Sequence, residues 1–112
     1  MEHDEFVEAV LGRQIDAMLR VLSLCPDRKM TVHDVINVLA EAEDEAQYVC
    51  GFIDLSQYDD EKELIAEAAT KRGFVSVDED GRMTLTSAGK DKGQTRLPEP
   101  IEQVLHERKR SV

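Results

Sequence analysis

Tryptophan is absent from this chain of 112 residues, and aromatic residues make up only 4% of it. A core must therefore be assembled from Val, Leu, Ile, Ala and Met, a set that favours helices, and the length allows one modest core. No run of about 18 apolar residues occurs, which excludes a membrane-spanning helix on hydropathy. The opening "MEHDEFVEAV" is acidic where a signal peptide would be basic. A soluble, cytoplasmic protein is expected. The only cysteines, Cys25 and Cys50, form no C-x-x-C and no Cys/His cluster, so a zinc site has no ligand set. Both are read as free, mostly buried thiols.

Motifs of catalysis are missing as well. There is no Gly-rich phosphate loop, no G-x-S-x-G and no H-E-x-x-H, and His3, His33 and His106 lack paired ligand spacing. "GKDKG" has neither the preceding strand nor the Lys-Ser/Thr ending of a P-loop. No catalytic residue, metal ligand or cofactor is assigned, and a non-enzymatic protein is expected.

What is present is acid, unevenly placed. The formal net charge is -10. Residues 31–60 hold Asp34, Glu41, Glu43, Asp44, Glu45, Asp54, Asp59 and Asp60 with no Lys or Arg, whereas residues 89–112 carry a small excess of base. A phosphate backbone would be repelled by the first stretch and weakly attracted by the second.

"DEFVEAVLGRQIDAMLRVLSL" reads as a helix opened by Asp4 and stopped before Pro26. Its apolar positions, from Phe6 to Leu22, span an arc of roughly 220°, about twice the width of one core-facing stripe. Either a second chain or two layers of the same chain could cover it. Thr31, with Asp34 three residues on, carries a capping signature for a second helix. Val35, Leu39, Ala42, Ala46, Val49 and Ile53 then form a seam, which predicts a rod over 32–50 of about 28 Å, stopped at Gly51. A third helix is predicted over 58–72 with Ser56 or Asp59 as cap, burying Leu64, Ile65 and Ala68 or Ala69.

After Gly73, "FVSV" and "MTLT" are strand-like runs around "DEDGR", and Asp80-Gly81 is a strong hairpin signal. Taken as a calcium loop, residues 76–87 would place Ser87 where a bidentate Glu is required, so the hairpin reading prevails. Lys90 to Arg96 reads as a polar, mobile link. Pro98 and Pro100 then introduce a short final helix with Ile101, Val104 and Leu105 on one side, which must dock on its own body or a partner.

Three helices followed by a hairpin, "KRGFVSVDEDGRMTLTSAG" and the threonine-started "MTVHDVINVLA" resemble the winged helix-turn-helix domains of small prokaryotic transcription regulators. The expected fold is mainly α with a small β-hairpin: a winged domain over 1–93, then a linker and C-terminal helix over 94–112. The resemblance implies a regulator that binds double-stranded DNA as a homodimer. Its third helix would enter the major groove, and Lys62, Lys71, Arg72 and the wing residue Arg82 would face phosphates. Dimer contacts would come from Phe6 and Val10 of the first helix and Ile101, Val104 and Leu105 of the last. The outer side of the third helix nevertheless offers more acid than base and no cluster of Arg, Asn or Gln to read base edges. The alternative is an interaction module of the same fold without DNA binding. It would present Asp34, Glu41, Asp44, Glu45, Asp59 and Asp60 to a basic protein partner.

Overall fold

The structure, a computed structural model, describes the backbone of residues 2–110 and the side chains of residues 5 and 7–108. Six helices and three short strands follow one another in these residues. The first helix, α1 (Glu2–Leu24), ends just before Pro26 as predicted. From Ile15 to Leu24 its wide apolar arc is buried almost throughout. The cover comes from helices and a strand of the same chain on several sides, so no second chain is required there. Nearer the start, Val7 is exposed and Val10 half-buried, while the Phe6 side chain lies outside the described residues.

Met30–Thr31 form β1, a strand too short to leave a periodic signal in the sequence. Thr31 is also the N-cap of α2 (Val32–Ala46). Its hydroxyl accepts from the Asp34 amide at 3.2 Å while the Asp34 carboxylate accepts from the Thr31 amide at 3.2 Å. That capping box is as expected, but the predicted rod to Cys50 is not formed. Gln47 takes a left-handed conformation (φ 53°) and closes the helix at Ala46. Val49, placed on the seam by its spacing, is 91% exposed, and Ile53 is exposed too. The chain turns instead into a one-turn helix, α3 (Phe52–Leu55), which inserts Phe52 and Leu55 into the core. Burying those two larger side chains gains more than continuing the helix to bury Val49, at about 1.5–3 kcal/mol each.

The next helix, α4 (Asp59–Lys71), is one residue shorter at each end than predicted. Its N-cap is Tyr58 rather than Ser56 or Asp59, without a side-chain cap bond, and Asp59, Asp60 and Glu61 in the first turn suit the helix dipole. Its buried stripe is Lys62, Ile65 and Ala69, whereas Leu64 points outward. The hairpin pairs β2 (Val75–Val77) with β3 (Arg82–Leu85) in the register Ser76 to Thr84. The Asp78 carboxylate accepts from the amides of Asp80 and Arg82, and Gly81 supplies the positive φ of the turn. β1 joins the other edge of β3, Met30 opposite Met83, giving an antiparallel sheet in the order β1-β3-β2.

The stretch expected to be a mobile link begins inside α5 (Ser87–Lys92), a helix capped by Thr86 through the Gly89 amide. Gly89 sits so close to the sheet that a Cβ there would lie 1.9 Å from the Phe74 carbonyl oxygen. Close approach, not flexibility, is the role of this glycine. The final helix, α6 (Glu99–Arg110), packs on α1 and α2. Ile101, Val104 and Leu105, expected at a dimer contact, are buried within their own chain. An apolar stripe on a helix this short needs immediate cover, and α1 and α2 provide it.

A buried ion pair fastens α6. Arg20 donates through Nε and Nη2 to the two oxygens of Glu102 at 2.9 and 2.7 Å, and through Nη1 to the Gly93 carbonyl at 3.2 Å. Glu102, 0% exposed, also accepts from the Leu97 amide. Burial pushes its carboxyl pKa upward, but hydrogen bonds from Arg20, the Leu97 amide and His106, with the Arg20 charge, outweigh burial and hold it at about 2.

Stranding one charge by Arg20→Ala or Glu102→Ala is expected to cost about 3–5 kcal/mol in urea unfolding, while Arg20→Met with Glu102→Leu costs far less. The Glu102 carboxyl titrates lower in the folded protein, about 2, than its ordinary 4.5, so the unfolded chain takes up the proton first on acidification. Its stabilisation is complete above about pH 5 and disappears as the pH falls toward about 2. Acid unfolding followed by circular dichroism should show a steeper loss across that window in the native protein than in the Met/Leu double variant.

Candidate functional site

The bases expected to meet phosphate are largely occupied. Lys62 is 4% exposed, its stem in the buried stripe of α4 and its ammonium 3.3 Å from Asp59. It is not available as a surface contact, which corrects the expectation for this residue. Lys62 lies three residues before Ile65 and seven before Ala69, so its place on the apolar stripe was visible in the spacing. Lys71 pairs with Glu67 at 3.1 Å on the same helix, and Arg72 reaches Glu8 of α1 at 2.6 Å. Arg82 stands exposed on β3 and has no ion pair among the described residues. The remaining outer positions of α4 include Asp60, Glu61, Glu63 and Glu67, all exposed.

The acids of the alternative surface divide into two groups. Asp34 serves the capping box, Glu41 and Glu45 hold Arg108 of α6 at 2.6 and 3.2 Å, and Asp59 lies between Lys62 and His33. The hydrogen bonds Arg108 donates, first to Glu41 and then to Glu45, raise its pKa above the ordinary value. Asp44 and Asp60 remain exposed and without an ion pair among the described residues. A face that looked uniformly free is half committed to holding α6 and α4 in place.

The residue that shapes this region is Glu43, which drew no attention as a site. It is 1% exposed, and its carboxylate accepts from four consecutive amides. One oxygen takes those of Cys50 and Gly51, and the other takes Phe52 at 2.8 Å and Ile53 at 3.1 Å. These are the donors that a helix start leaves unsatisfied, so Glu43 caps α3 from the last turn of α2. Its signal in the sequence was an acid four residues after Leu39, on the apolar side of the helix. No local pattern, however, indicated which amides it would hold.

Around this cap the chain exposes an unusual set of apolar groups. Tyr48, Val49, Ile53 and Tyr58 stand out from the turn between α2 and α4, with Leu64 further along α4. Asp44, Asp54 and Asp60 are interspersed with them, all exposed. Cys50 lies here too, exposed rather than buried as expected, while Cys25 is half-buried; both are free thiols. Partial burial of its sulfur and then the Glu43 charge raise the Cys50 pKa, which keeps it protonated and poorly nucleophilic near neutrality.

No known protein family, no curated protein and no solved structure matches the chain. No helix among the described residues is long and apolar enough to cross a membrane.

Glu43→Ala is expected to release the segment between α2 and α4 and to cost about 2–3 kcal/mol, since hydrogen bonds to a charged acceptor are lost and the buried Phe52 amide is left unmet. Hydrogen exchange read by mass spectrometry should quicken at Cys50 to Ile53 well before it does in α1.

Proposed function

We propose that the chain is a non-enzymatic winged-helix module of a regulatory system, whose working face is the corner between α2 and α4 and whose partner is a basic, amphipathic protein segment. The architecture that supports the class is three longer helices, α1, α2 and α4, followed by the β2–β3 hairpin, whose strand β3 also pairs with β1, just ahead of α2. The observation that carries the choice of face is the set of exposed apolar side chains, led by Val49 at 91% exposure, held out on a turn that Glu43 fixes. Holding apolar groups rigidly in water brings no folding stability, whereas burying them against a partner does. Interspersed acids select a partner carrying Lys and Arg and speed the encounter.

A second reading, a regulator that binds double-stranded DNA as a homodimer, is favoured by one feature, the unpaired Arg82 on the wing. The acids along α4 and the prior engagement of Lys62, Lys71 and Arg72 weigh against it.

A synthetic amphipathic helix rich in Lys and Leu and a random-sequence duplex separate the two in fluorescence anisotropy. On the proposed function the peptide binds, and Val49→Asp or the double reversal Asp44→Lys with Asp60→Lys weakens it by about tenfold or more. Melting should be little changed, because exposed substitutions usually shift stability by no more than about 0.5 kcal/mol. Salt-sensitive duplex binding that Arg82→Ala weakens, with no peptide binding, would overturn this reading in favour of the second.

A further inference from the structure

We propose that the cleft between the end of α1, the loop that follows it and α6 binds a small amphipathic carboxylate, its tail on the apolar floor and its anion on Arg28. The site is separate from the corner between α2 and α4 and does not depend on the function assigned there. Its volume is about 540 Å³, within the range of about 300–1,000 Å³ common for ligand clefts. Val21, Leu24, Met30 and Leu105 are buried beneath it, and half-buried Val38 forms one wall. These residues come from three helices and β1, so the floor is the edge of the core, showing little of each side chain. A second hollow of about 410 Å³ adjoins it and shares Arg28, Met30 and Val38.

The mouth carries charges of both signs. Arg28 and Lys29 stand exposed at the rim of the two hollows, and neither has an ion pair among the described residues. Arg108 borders the cleft as well, but its charge is already met by Glu41 and Glu45. The acids of the two linings are Asp27, which is exposed, and Asp34, whose carboxylate accepts from the Thr31 amide. One guanidinium without a partner beside an apolar floor is complementary to a single carboxylate on a hydrocarbon body, since its planar fork meets both oxygens at once. Among the described residues a polyanion would find only one or two free cations here.

Cys25 supplies a reporter. It lines the cleft and is half-buried, while Cys50, on the opposite end of α2, is exposed and serves as an internal reference. Alkylation of the two thiols by N-ethylmaleimide is followed by mass spectrometry, with decanoate below its micelle concentration as the probe and decanol as its uncharged counterpart. At decanoate about ten times its Kd, Cys25 alkylation is expected to slow by about tenfold, as occupancy dictates, with Cys50 unchanged. Decanol should protect far less, and Arg28→Ala, at an exposed position, should abolish the protection by decanoate. Equal Cys25 rates with and without decanoate would overturn the site. Protection that survives Arg28→Ala, or that decanol matches, would overturn the assignment of a carboxylate ligand.

Discussion

The pairing of Arg20 with Glu102 is the constraint around which the remaining elements are arranged. Arg20 sits in the most deeply buried part of α1, flanked by Leu19 and Val21, and a guanidinium there is tolerable only with its charge and its donors met. Glu102 meets the charge, and the Gly93 carbonyl takes a further donor. Gly93 is therefore brought against α1, where a Cβ would come within 2.8 Å of the Leu19 carbonyl oxygen. The turn after α5 and the start of α6 are thus positioned by one side chain. With α6 set in this way, its apolar face falls on α1 and α2, and Arg108 reaches Glu41 and Glu45.

Glu43 plays a comparable part at the other end of α2, with backbone amides in place of a guanidinium. Both buried carboxylates are fully used, and among the described residues no buried side-chain nitrogen or oxygen lacks a partner. The two acids differ in what they organise. Glu102 draws together distant parts of the chain, whereas Glu43 folds a stretch only a few residues ahead and thereby determines what the corner shows to solvent. The cleft beside Cys25 and the corner around Val49 consequently lie in regions controlled by different contacts.

The elements with strong local signals were legible in the sequence. The capping box at Thr31, the stop before Pro26, the helix over 59–71 and the hairpin at Asp80-Gly81 all rest on interactions within a few residues. What escaped was decided by tertiary packing. Continuing α2 to Cys50 satisfied periodicity, yet Phe52 and Leu55 offered more apolar surface to the core, and Glu43 could satisfy the amides of the tighter path. Lysine is usually a surface base, yet the spacing of Lys62 from Ile65 places it on the buried stripe. The β1 strand is only two residues long and acquires its identity from pairing with β3. The cleft beside Cys25 is closed on one side by Leu105 and Arg108 of α6, a placement no local pattern could specify.

The separation of Arg20 from Glu102 also has a consequence for how the protein is made. The two partners lie 82 positions apart in the chain. On a ribosome, Arg20 emerges long before its counter-ion exists, at an elongation rate of about 5–20 residues per second. Over those seconds the guanidinium keeps its water, and the middle of α1 cannot be sealed by its native neighbours. Until α6 emerges, the part of α1 that it covers lacks its native neighbour. Closure comes as a late, cooperative event, when α6 arrives carrying the carboxylate and the apolar cover together.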